Sequence, residues 1–155
     1  MTKNIFYGII IFISLVLLVW FQLKDPNMSS KMSNLISPAN AKNIDIFKGM
    51  ELYNKNCASC HMGNLAGHEE WNKSLDEDGH RRAPPLNGTG HTWHHSPKYL
   101  FQVTKYGFKK IIPDYEGKML GNETLSDDDV WSIIEFIKST WPEKLLKKYN
   151  SHFKS

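Results

Sequence analysis

The sequence predicts an all-α protein: a small helical domain of roughly one hundred residues behind a single N-terminal transmembrane helix. Three observations carry this reading. Residues 5–23, IFYGIIIFISLVLLVWFQL, hold no charge, and as a helix they would span about 28 Å at roughly 1.5 Å per residue, enough to cross the hydrocarbon core. Ile46, Met50 and Tyr53 then place apolar groups at steps of four and three, with Phe47 and Leu52 beside them, so Asp45 to about Asn56 reads as an amphipathic helix. Towards the other end, Ser126 precedes Asp127, Asp128 and Asp129 and the apolar set Val130, Ile133, Ile134, Phe136 and Ile137. This is a capped helix with acids in its positive first turn, ending near Trp141 because Pro142 follows.

The apolar run leads into Lys24-Asp25-Pro26 rather than into small residues, and Ala39-Asn40-Ala41 lies far beyond it. Residues 1–24 therefore read as an uncleaved anchor, with a cleaved leader as the alternative. Residues 25–42, rich in serine, asparagine and proline without a sustained period, read as a flexible linker with a root-mean-square span of about 20 to 25 Å. The domain occupies 43–142, and 143–155 form a basic C-terminal tail in which Lys144, Lys147, Lys148 and Lys154 face only Glu143. The tail reads as a solvated helix end, with contact to anionic headgroups or a partner as the alternative. The 155-residue chain carries a net charge of +3, but the basic excess sits at the ends: residues 43–142 hold eleven bases and fourteen acids. That balance argues against nucleic-acid binding.

The chemistry centres on Cys57-Ala58-Ser59-Cys60-His61. Two thiols three positions apart, with an imidazole directly after the second, are the pattern of c-type heme attachment. Each thiol adds to a vinyl group, and His61 becomes the proximal iron ligand. The cofactor so implied is one covalently bound heme c. A thioredoxin-like redox pair, half a zinc site and a disulfide are the alternatives. A zinc site would need two histidines, and the suitably spaced pair, His91 and His95, begins 31 positions after Cys60, well beyond the zinc-finger gap. No βαβ pattern precedes the motif to support a redox pair. Residues 62–82 are polar and irregular, and read as an extended loop over one edge of the heme.

Gly49, Tyr53 and Cys57 follow one another at intervals of four. In this the chain resembles the class I cytochrome c family, whose glycine lets the last helix approach the first and whose aromatic packs against it. The resemblance implies that Phe136 and Ile133 meet Gly49 and Tyr53. Pro84, Leu86 and Gly88 are similar to the family's Pro-x-Leu-x-Gly segment, which implies that the Pro84 carbonyl accepts a hydrogen bond from the outer nitrogen of His61 and fixes its tautomer. An ordinary Pro-Pro turn is the other reading.

In Gly90-His91-Thr92-Trp93-His94-His95 the three histidines could bind copper or zinc, or an imidazole and the Trp93 indole N–H could donate to the heme propionates. The run resembles a segment in a subset of bacterial class I cytochromes, which favours the structural or propionate role. Ser96-Pro97 opens a helix running to Gly107. For the distal ligand, Met1 precedes the anchor, Met28 and Met32 lie in the linker, Met50 is on the first helix and Met62 adjoins His61. Met119 remains, just ahead of the last helix where the family places its methionine. The family commonly has proline next, and this chain has Leu120, so His91, His94 and His95 stand as alternative ligands.

The resemblance implies a membrane-tethered monoheme c-type cytochrome that carries single electrons between respiratory-type redox partners. It would be an electron carrier and not an enzyme, with no catalytic residues and no small-molecule substrate. It would be single-pass in the bacterial cytoplasmic (inner) membrane, with the heme domain on the periplasmic side. Two further readings are a docked cytochrome subunit of a dehydrogenase or terminal oxidase, and a heme-based redox or gas sensor with a labile sixth position.

Overall fold

A computed structural model describes residues 43–153. The expected anchor, 1–24, and the expected linker, 25–42, lie outside the described residues. Among the described residues no helix is long and apolar enough to cross a membrane. These residues form α1 (Ile46–Asn56), the single turn α2 (Ala58–His61), α3 (Pro97–Tyr106), α4 (Asp127–Ser139) and α5 (Glu143–His152), with 3₁₀ turns at Thr92–His94 and Phe108–Lys110. No strand occurs among them; Leu75 and Arg81 make an isolated antiparallel bridge.

The crossing of α1 and α4 is the core. Asp45 caps α1, its carboxylate accepting from the Phe47 and Lys48 N–H groups at 2.9 and 3.1 Å, and so satisfies two of the orphan donors at a helix start. The Asp45 N–H in turn donates to Ser132 Oγ on α4 at 3.1 Å, and that hydroxyl donates to the Asp128 carbonyl at 2.7 Å. Ser126 and Asp129 close a reciprocal capping box on α4, while Lys48 reaches Asp129 at 2.5 Å. Gly49 is buried where the helices touch, and a Cβ there would overlap the Ser132 carbonyl. One turn on, the fully buried Tyr53 ring lies 5.4 Å from Phe136, beside Ile133 and Val130, which are equally buried.

Gly49→Ala should lower stability by about 2–3 kcal/mol, because the overlap is with rigid backbone and forces the helices apart. Alanine is the better helix former by about 1 kcal/mol, so an unchanged or raised denaturant midpoint would show that the two backbones are not in contact.

α4 ends two residues earlier than Pro142 alone suggests. Thr140 tightens the last turn onto Ile137 and Lys138 carbonyls, and Trp141 leaves the helix axis to bury its indole, whose N–H donates to the Leu86 carbonyl at 2.8 Å. The basic tail is largely helical. In α5 Leu146 and Tyr149 are buried, and the Tyr149 ring packs on Trp141 at 5.1 Å. Under this cover Lys138 and Glu135 pair at 2.7 Å with side chains 5 % and 2 % exposed, and the Lys138 ammonium lies 5.5 Å over the Tyr149 ring. The lysines of α5, Lys144, Lys147 and Lys148, remain exposed, so the segment is amphipathic: its charge faces water while its apolar stripe extends the core.

Candidate heme site

The attachment motif sits where α1 runs into α2. Cys57 is the C-cap of α1, its N–H still bonded to the Tyr53 carbonyl at 2.8 Å, and the His61 N–H bonds back to the Cys57 carbonyl at 2.9 Å. One helical turn thus carries both thiols and the imidazole. No disulfide joins Cys57, which is half-buried, to Cys60, which is exposed. Burial pushes the Cys57 thiol up to about 11, with Cys60 adding to it. A thioredoxin-like pair needs the opposite, a thiol lowered towards neutrality. Among the described residues no group of three or more His, Cys, Asp or Glu gathers as a metal cage.

Behind His61 the chain reverses sharply. Met62 has φ +65°, a conformation unfavourable for a side-chain-bearing residue, and the buried Tyr53 hydroxyl holds it by donating to the Met62 carbonyl at 2.7 Å. Burial raises the Tyr53 phenol far above its ordinary value, so it stays a donor. From there a short ladder joins residues 65–68 to 83–87: His68 N–H to Ala83 O at 2.9 Å and Leu86 N–H to Leu65 O at 2.8 Å. Gly67, at φ +65°, permits this approach, since a Cβ would collide with the Pro84–Pro85 backbone. The ladder sets the Pro84 carbonyl 2.9 Å from His61 Nδ1. Trp141 supports the same strip from the far side through Leu86. Burial pulls the His61 imidazole down, outweighing the upward pull of the Pro84 carbonyl. Nδ1 then donates to Pro84, and Nε2 is the nitrogen left with its lone pair.

Met119 lies on a segment held along the end of α3. The Tyr115 hydroxyl accepts from the Met119 N–H at 3.1 Å, and the Met119 carbonyl accepts from the Phe108 N–H at 3.1 Å. Gly107 and Gly121, both at positive φ, let the two backbones meet, and Asn122 bonds the Thr104 carbonyl at 3.2 Å and the Asn56 side chain at 3.0 Å. Trp93 donates its indole N–H to the Gly90 carbonyl at 3.1 Å, packs at a tilt against His94 and faces Lys148 of α5. A propionate contact through that N–H would therefore require exchanging an existing bond. The histidines are spent on rings: His91 stacks on Trp71, and His95 on Tyr99 at 4.4 Å.

These residues fit a heme. α3 presents Tyr99, Leu100, Phe101 and Val103, and none of its residues is fully buried, whereas α4 buries seven. Rings continue from Trp71 through His91, His95, Tyr99 and Phe108 to Tyr115, all short of full burial. Apolar surface of this extent calls for a large apolar cover, and the cysteine and histidine donors suit heme attachment and iron.

A clamp joins the Met119 segment to the loop opposite. Lys118 reaches Asp76 Oδ2 at 2.6 Å and Asp78 Oδ2 at 2.5 Å. Lys118, with the His80 N–H, holds the Asp76 carboxyl down to about 2, against an ordinary 3.8. The stabilisation from a carboxylate held low is complete above its ordinary value and is lost as pH falls through the folded one. Asp76→Asn should thus be less stable at neutral pH and show a shallower loss of stability between pH 3.8 and about 2. Denaturant midpoints at stepped pH read this directly, and parallel acid limbs in the two proteins would refute it.

A helical domain without strands, two thiols and an imidazole on one turn, and a carbonyl-fixed histidine define a c-type cytochrome domain. Residues 45–137 match the family model described as cytochrome c oxidase, cbb3-type, subunit III. That match covers more than half of the chain, which belongs to this family of class I cytochrome c domains. Membership implies heme c and electron transfer. No curated protein and no solved structure matches the chain.

Proposed function

We propose that the chain is a membrane-tethered monoheme c-type cytochrome that passes single electrons between respiratory-type redox partners. Residues 1–24 anchor it, 25–42 are its tether, and the heme domain lies on the periplasmic side of the inner membrane. Cys57 and Cys60 hold the heme covalently, His61 binds iron through Nε2 with Pro84 as its orienting acceptor, and Met119 completes the coordination. The observation that carries this reading is the turn Cys57 to His61 with His61 Nδ1 already engaged at 2.9 Å by Pro84. The bound heme supplies a one-electron couple; the chain's own residues orient the imidazole, exclude water and set the potential through ligand type and burial. It turns over no substrate of its own.

The family match favours a second reading, service as a docked subunit of a terminal oxidase. Detergent extraction of membranes followed by purification of the tagged full chain separates the two. A free carrier elutes alone, with covalent heme and a one-electron redox titration; a docked subunit elutes with an oxidase in fixed stoichiometry. Recovery in the soluble fraction with an N-terminus at Lys42 would overturn the tether.

A further inference from the structure

The turn at residues 75–81 is more ordered than its surface position demands. The bridge between Leu75 and Arg81 closes it, and Gly79 at φ +81° makes its corner. Within it Asp76 Oδ1 accepts from the Asp78 and His80 N–H groups at 3.1 and 2.8 Å. Its other oxygen faces outward and meets Lys118 at 2.6 Å, with Asp78 closing on the same ammonium at 2.5 Å. The Asp76 side chain is only 17 % exposed. A carboxylate fixed by two backbone donors gives a lysine a rigid seat and reduces the ordering cost that makes surface ion pairs weak.

Lys118 directly precedes Met119. On the C-terminal side of Met119 the chain is fixed by Gly121 against Gly107 and by Asn122 on Thr104 and Asn56. On the N-terminal side residues 111–114 and Glu116 are exposed, and the segment is held there by Tyr115 and Lys118. We propose that Lys118 is a positioning residue, through which the 75–81 turn braces the distal-ligand segment and keeps Met119 from leaving the iron. The inference rests on the reading of Met119 as the distal ligand. It assigns to the loop 62–82, otherwise a cover over the heme edge, the task of opposing ligand loss.

The test is imidazole binding to the ferric full-length holoprotein, followed by absorption, because imidazole enters only when the distal ligand leaves. Lys118→Ala should bind imidazole up to about tenfold more tightly, the change expected when a closed, ligated population loses a brace of this kind. Asp76→Asn combined with Asp78→Asn should do the same, and Lys118→Ala should add nothing on that background. A lysine acting only by its charge near the heme would retain its effect there, and that result would overturn the brace. So would a Lys118→Ala protein with unchanged affinity while Met119→Ala opens the site. If Met119→Ala alters neither the absorption spectrum nor imidazole affinity, Met119 is not the ligand, and the brace falls with that assignment.

Discussion

Replacing Cys57 and Cys60 together with alanine is expected to remove heme from the polypeptide completely in a denaturing gel. Both thiols lie within one turn, Cys60 exposed and Cys57 half-buried, and they are the groups that would form the two thioethers to a bound heme. Single variants should retain one thioether and still stain; the double variant has none. The effect reaches beyond the stain. A domain this small buries a limited fraction of its surface, and among the described residues the side of α3 bearing Tyr99 and Val103 is not fully buried, so a bound heme would add to the core. The double variant should therefore unfold at lower denaturant than the parent. Heme staining that survives both substitutions would show that the attachment lies elsewhere.

Met119→Ala should convert a six-coordinate low-spin heme into one that binds carbon monoxide readily when reduced. Met119→His should instead keep six ligands and lower the midpoint potential by on the order of a hundred millivolts, because a thioether favours the ferrous state more than an imidazole does. The alternatives His91 and His95 are stacked on Trp71 and Tyr99, and either would have to give up those contacts to reach iron. Met119 has its backbone N–H and carbonyl fixed by Tyr115 and Phe108 while its side chain remains half-exposed. If Met119→Ala leaves both the potential and the low-spin spectrum unchanged, another residue is the ligand.

What could be read from the sequence was local. Ser96 and Ser126 are caps whose partners lie three residues away, and the Gly49–Tyr53–Cys57 spacing points to a helix contact through its resemblance to the class I family, where the structure shows that a Cβ would meet the Ser132 carbonyl. Readings that depended on remote partners were less accessible. Lys118 finds Asp78 across 40 positions, and Trp141 finds the Leu86 carbonyl across 55; no periodicity encodes either. The Trp93 indole was open to a distant acceptor by composition, yet the Gly90 carbonyl three residues back takes its N–H, since a local bond costs little chain entropy. The tail looked solvated because lysine dominates its composition, while two positions, Leu146 and Tyr149, decide its burial.

The point at which the chain enters this domain has a mechanical consequence. Tension transmitted from the residues before position 43 arrives at Asp45, whose N–H is bonded to Ser132 and whose carboxylate caps α1. The load passes into the packed pair α1 and α4, through Gly49 against Ser132 and the Lys48–Asp129 ion pair, before it can reach the segments around Pro84 and Met119. Force applied to the chain at residue 43 would thus be resisted by the packing of α1 on α4. The segments around Pro84 and Met119 lie downstream of that junction and would be shielded from the pull.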